Sequence, residues 1–140
     1  ELAYVALGHL HRPQSLDGGR VRYSGSAFPL SASEIAYDHG VTLIDLSDGM
    51  SHRHIPIDRP VPMFRLPPSG SGKLEDMLAA LAEINLSPDT PRDEQPFLYL
   101  SLMADRPVTM LAAEIETLME RTPARLAGLS IMRSDQPVLC

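Results

Sequence analysis

Five prolines at positions 56, 60, 62, 67 and 68, followed at once by Ser69-Gly70-Ser71-Gly72, set the strongest limit on how this chain can fold. Proline has a locked φ and no amide hydrogen, so neither a helix nor a central strand continues across such a stretch. The 140 residues therefore divide, with the boundary predicted in residues 58–62, into a first part of residues 1–60 and a second of 61–140.

The two parts carry different periodicities. In the first, the apolar run 3–7 predicts a short strand buried on both faces, Asp17-Gly18-Gly19 a turn, and 20–24 a returning strand. Residues 24–31, interrupted by Gly25 and Pro29, predict an ordered loop, and the β-branched run 40–46 pairs with the alternating run 51–57 in a hairpin turning at Ser47-Asp48-Gly49-Met50. In the second part, residues 62–66 predict a strand, and Leu74, Met77, Leu78, Leu81 and Ile84 follow helical spacing until Ser87-Pro88-Asp89. A strand at 97–103 leads to Asp105 as a candidate N-cap with Pro107 in the first turn, and Leu111, Ile115, Leu118 and Met119 stripe a second helix to about Arg121. Residues 126–132 predict the last strand, and Met77, Met110 and Met119 are assigned to the core. The fold class is α+β, with two helices on one face of a three-stranded sheet in the second part.

With 44% apolar and 21% charged residues the chain has globular composition, and no stretch approaches the roughly 18 consecutive apolar residues of a membrane span. Without a basic, signal-type N-terminal region it reads as soluble and cytoplasmic. The lone cysteine, Cys140, excludes an internal disulfide. The net charge of −6 is uneven: residues 1–65 hold six Lys/Arg against seven Asp/Glu, and residues 66–140 hold six against eleven. Binding to a phosphate backbone needs basic surface, so this balance argues against an autonomous nucleic-acid binder. The start at Glu1, directly before a strand-like run, and the end on Val138-Leu139-Cys140 predict that sequence is missing at both ends.

Gly8-His9-Leu10-His11 follows the first predicted strand. On an extended segment the i, i+2 spacing projects both imidazoles to one side, and Gly8 removes bulk where a ligand could approach the backbone. Two imidazoles suit a divalent transition metal but complete no common site, and the competing reading is a pair of turn histidines bonded to nearby backbone. His52-Arg53-His54 repeats the spacing but reads as a solvated face, and His39 as a turn residue. Ser24-Gly25-Ser26 lacks the strand-to-helix frame of a nucleophile elbow. Neither a phosphate-cradling glycine loop nor a paired-cysteine zinc signature is present.

Taken together, Tyr4-Val5-Ala6-Leu7-Gly8-His9-Leu10-His11-Arg12-Pro13-Gln14, Val21-Arg22-Tyr23-Ser24-Gly25-Ser26, Pro29-Leu30-Ser31 and Glu34 resemble the bacterial SbcD exonuclease subunits. More widely they resemble the calcineurin-like metallophosphoesterases and double-strand-break repair nucleases. The resemblance is strong over residues 4–34 and rests on element order beyond residue 62. It implies that residues 1–60 end a phosphoesterase β-sandwich and that 61–140 form a two-helix, three-strand capping domain. It implies a manganese-dependent double-strand exonuclease and single-strand endonuclease of DNA repair and recombination, with an SbcC-type ATPase as partner and DNA as substrate. A homodimer of the full-length protein is also implied. His9 and His11 match two metal ligands of a two-ion site, and Arg12, Ser24 and Ser26 are candidates for contacting substrate.

The family's earlier motifs, an Asp-x-His, a bridging aspartate, an Asn-His pair and a further histidine, have no counterpart in this sequence. Ala27 and Ala32 stand where relatives commonly carry Pro and an aromatic residue. No complete catalytic set is present, and the chain alone is expected to be inactive. Two other readings remain: residues 62–140 as a non-enzymatic DNA- or protein-interaction module, and a different calcineurin-like phosphoesterase acting on small esters.

Overall fold

A computed structural model of the chain describes residues 3–133; the expectations attached to Glu1 and to Val138-Leu139-Cys140 lie outside the described residues. The chain separates into two compact units between Arg59 and Pro60, inside the proline-rich stretch.

Among the described residues the first unit holds five strands in two small sheets. Strands β1 (Val5–Leu7), β2 (Gln14–Leu16) and β3 (Val21–Tyr23) form a sheet in the order β1-β3-β2. β3 returns from the turn at Asp17–Gly19 antiparallel to β2, whereas its pairing with β1 is parallel. Gly18 and Gly19 take φ of 62° and 96°, the left-handed conformation that glycine enters without penalty, so this dipeptide closes the β2–β3 connection. β1 is not buried on both faces: Ala6 is exposed, because β1 pairs on one side only and these three-residue strands build too small a sheet to carry a covering layer. β4 (Gly40–Asp45) and β5 (Ser51–Pro56) form the expected antiparallel hairpin. The Ser24 hydroxyl accepts from the Thr42 amide at 3.1 Å and tethers the end of β3 to β4.

The second unit is a pair of strand–helix–strand crossovers. β6 (Met63–Leu66), β7 (Phe97–Ala104) and β8 (Arg125–Arg133) lie in chain order in one wholly parallel sheet, linked by α1 (Leu74–Glu83) and α2 (Val108–Glu120). Parallel strands need such crossovers, and each helix closes its unit by burying an apolar stripe against the sheet. Leu66, Leu98, Leu100 and Leu102 of the sheet form one buried cluster with Met77 of α1 and Ile115 of α2, so both helices cover the same face. Leu98, Leu102 and Met77 are fully buried. Opposite Tyr99, β8 carries a bulge, and a Cβ added at Gly128 would stand 2.9 Å from the Tyr99 ring, which explains the glycine.

Two sequence expectations fail in this unit. Pro107, not Asp105, occupies the N-cap of α2; the Asp105 carboxylate turns to the Arg106 guanidinium at 3.0 Å instead. Met110 is 54% exposed, since it precedes Leu111 and falls outside the buried stripe of α2, while Met77 and Met119 meet the core.

Candidate functional site

The chain leaves β1 at Leu7 and runs irregularly to Gln14, so the two histidines sit on a turn and not on an extended segment. His9 takes φ of 79°, a left-handed conformation costing an ordinary residue about 1–2 kcal/mol and concentrated in functional and turn positions. The i, i+2 spacing therefore does not set where the rings point. Both still line one open depression of about 380 Å³, together with Arg12, Gln14, Glu34 and Tyr37.

His11 is oriented by a carboxylate 23 positions away. Its Nδ1 meets Glu34 Oε1 at 3.0 Å. Glu34 ends a 3-10 turn, Ala32–Glu34, and is itself held, with Oε2 accepting the Leu30 amide at 2.9 Å and Oε1 the Ser31 hydroxyl at 3.2 Å. The Leu30 amide first, then His11 and Ser31, hold the Glu34 carboxyl below its ordinary value of 4.5, against a smaller opposing effect of burial. The backbone of Glu34 is anchored as well. His39, which is buried, meets the Glu34 carbonyl with Nε2 at 2.8 Å, and its Nδ1 faces Ser26, 3.1 Å from the carbonyl and 3.2 Å from the hydroxyl. His39 is thus a strut beneath the 3-10 turn, a stronger role than the turn residue expected.

The histidine turn is clasped from the other side by the loop after β3. The Ser26 amide donates to the His11 carbonyl at 3.0 Å, and Gly25, with φ of 84°, passes so close that a Cβ there would lie 2.8 Å from that carbonyl and from Pro13. Ser24 and Ser26 are therefore engaged with Thr42, His39 and the turn, and neither lines the depression. Arg12 does line it, with its guanidinium 5.9 Å from the Tyr37 ring centroid and without an ion-pair partner among the described residues. A Cβ at Gly8 would meet nothing within 4 Å, so no described neighbour requires glycine there.

His52 and His54 are not a solvated face. Arg53 points outward, while the period of two turns both histidines inward, His52 against Gly19 and His54 against Gly40; both ring nitrogens of His54 are buried without a partner among the described residues.

As metal ligands His9 and His11 fit in part. Nδ1 of His11 is taken by a carboxylate, which leaves Nε2 as the lone-pair nitrogen of the neutral ring, the usual arrangement of a ligating imidazole. No group of three or more His, Cys, Asp or Glu side chains is gathered among the described residues, so the donor set there is incomplete. Glu34 and His39 are the residues that sequence reasoning left without a part in the site; only the resemblance had included Glu34, and nothing local in the chain ties it to His11.

These features define a two-unit α+β chain whose first unit presents a carboxylate-oriented histidine turn. Residues 59–138 match the family model described as the type 5 capsule protein repressor C-terminal domain, SbcD_C, and the chain belongs to that family. It is 65% identical over 134 residues, 96% of its length, to the D subunit of the SbcCD nuclease of Rhodobacter capsulatus, of which the match covers 33%. The corresponding nuclease subunit of Escherichia coli K12 is 26% identical over 138 residues, covering 95% of this chain and 32% of that protein. That of Bacillus subtilis is 51% identical over 51 residues, 35% of this chain and 13% of the relative. The chain thus spans about a third of the relatives it matches along nearly all its own length.

Proposed function

We propose that this chain is the C-terminal portion of a manganese-dependent DNA nuclease subunit acting in DNA repair and recombination with an SbcC-type ATPase. The Arg59/Pro60 division fits a reading in which the first unit ends a calcineurin-like phosphoesterase domain and the second is its capping domain. Identity of 65% to a protein named as a nuclease subunit supports the parent activity. The observation that carries the site is His11, whose Nδ1 is held by Glu34 while His9 and Arg12 share its depression.

In this reading His9 and His11 supply two nitrogen ligands, and the remaining ligands come from motifs this sequence does not contain. A bound pair of divalent ions would supply charge neutralisation of the phosphodiester and acidification of a water. The chain's own residues do the rest: the clasp of Ser26 on the His11 carbonyl holds the turn, and Arg12, unpaired among the described residues and steered by Tyr37, offsets phosphate charge. Backbone exposed at Gly8 leaves room for a phosphate. The acidic second unit contacts partner protein more readily than DNA backbone, and the parent works in the cytoplasm, as a dimer.

The test is manganese-dependent cleavage of linear duplex DNA by the full-length parent carrying these residues. His9→Ala and His11→Ala are expected to abolish it, and the 140-residue chain alone is expected to leave DNA intact. Undiminished cutting by His11→Ala would sink the ligand assignment.

A further inference from the structure

We infer that Glu34 is a positioning residue for metal binding: it fixes His11 as the Nδ1–H tautomer and so presents Nε2 to a divalent cation. This rests on the metal reading of His11 above and adds to it a residue 23 positions away, on a separate turn.

An imidazole ligates through an unprotonated nitrogen, and which nitrogen that is follows from the hydrogen bond made by the other one. An ionised carboxylate can only accept, so a His11 nitrogen 3.0 Å from Glu34 Oε1 must carry hydrogen. The neutral ring then has its lone pair on Nε2. In a free imidazole the proton exchanges between the two nitrogens and the ring rotates, and both freedoms reduce the fraction competent to bind.

Glu34 is suited to this because it is itself immobilised. Its side chain is 14% exposed, against 42% for His11. One carboxylate oxygen takes the Leu30 amide, the other takes the Ser31 hydroxyl with His11, and the carbonyl of the same residue takes His39 Nε2. A carboxylate serving only as a surface ion-pair partner needs none of these anchors. The arrangement is a rigid bracket built on the Ala32–Glu34 turn, with His39 as its buried support.

The test begins with long-range proton–nitrogen NMR on the full-length parent stripped of metal, which reads the His11 tautomer directly and needs no substitution. His11 is expected as Nδ1–H; a dominant Nε2–H form overturns the inference. Glu34→Ala is expected to return His11 to a tautomer mixture, whereas Glu34→Gln, whose amide oxygen still accepts, retains Nδ1–H in part. Manganese affinity is then measured by calorimetry on the full-length parent. Glu34→Ala should weaken it about 10–100-fold, and Glu34→Gln less. Equal affinity in wild type and Glu34→Ala overturns the positioning role alone. Equal affinity in wild type and His11→Ala removes the metal reading itself, and the inference falls with it.

Discussion

At Gly25 a single missing methylene holds the histidine turn in place. Its φ of 84° penalises any side chain, and a Cβ would press on the His11 carbonyl and on Pro13 at 2.8 Å, contacts that cannot yield without moving the turn. Gly25→Ala is therefore expected to cost about 1–3 kcal/mol in urea denaturation of the full-length parent, with the amide shifts of His11 and Ser26 displaced. Gly8→Ala is the contrasting case. Nothing lies within 4 Å of its Cβ position and its φ is not left-handed, so stability should change by less than about 0.5 kcal/mol. If the phosphate reading of Gly8 holds, the same change lowers nuclease activity of the parent; a stability loss as large as that of Gly25→Ala would contradict the open geometry. At this scale the sequence placed His9 and His11 near each other, but the irregular turn after β1, not the i, i+2 spacing of an extended strand, brings both to one depression. The bracket of Glu34 and His39 was not legible: it depends on a turn and a loop meeting across 23 and 28 positions of chain from His11. The inward face of His52 and His54 was hidden by charge at Arg53, whose opposite orientation is what the strand period demands.

The elements of the second unit were legible because each is long enough for its period to speak. β7 alternates until it becomes continuously buried at the sheet centre, and α1 repeats Leu74, Met77 and Leu81 over its whole length. β2 was missed since Gln14-Ser15-Leu16 is only three residues and all exposed, with no alternation to read. Its existence is settled by antiparallel pairing with β3. Core position also predicts energetic weight. Leu102→Ala, at a fully buried side chain, should cost about 2–5 kcal/mol, and Met110→Ala, at 54% exposure on α2, less than about 1 kcal/mol, in the same chemical-denaturation measurement. At the start of α2, Arg106 joins Asp105 at 3.0 Å, Glu114 at 3.1 Å and Glu75 at 3.6 Å. The hydrogen bond from Arg106 is the main reason the Asp105 carboxyl lies below its ordinary 3.8. A carboxyl lowered by folding adds stability above its unfolded value, and that contribution disappears as pH falls through the folded one. Arg106→Gln should therefore raise the Asp105 titration midpoint toward 3.8 in carboxyl-detected NMR and flatten the acid limb of the stability profile below that pH.

On the scale of the whole chain, the proline-rich stretch was the most legible feature, because missing amide hydrogens act without tertiary context. The distribution of burial between the units was less so. Every buried apolar side chain assigned to the core among the described residues belongs to the second unit, while the first buries Gly19, Pro29, His39 and Gly40 and exposes Leu10, Leu16, Phe28, Leu30, Val41, Leu43, Leu46 and Ile57. Hydropathy marks these residues as apolar but not as uncovered, since coverage depends on what packs against them. A unit of about 60 residues already buries too little surface to be more than marginally stable, and three-residue strands without an apolar core fall short of that. Within residues 60–133, by contrast, a parallel sheet is closed under two helices around one buried cluster. Expressed separately, 60–140 should unfold in a single urea transition with coincident far- and near-ultraviolet signals, whereas 1–59 should show no cooperative transition. In the intact chain, limited proteolysis should cut first within residues 57–62 and leave the second unit as the resistant product. A cooperative transition in isolated 1–59 would mean that its exposed leucines and Phe28 find cover within the unit itself, contrary to the burial pattern.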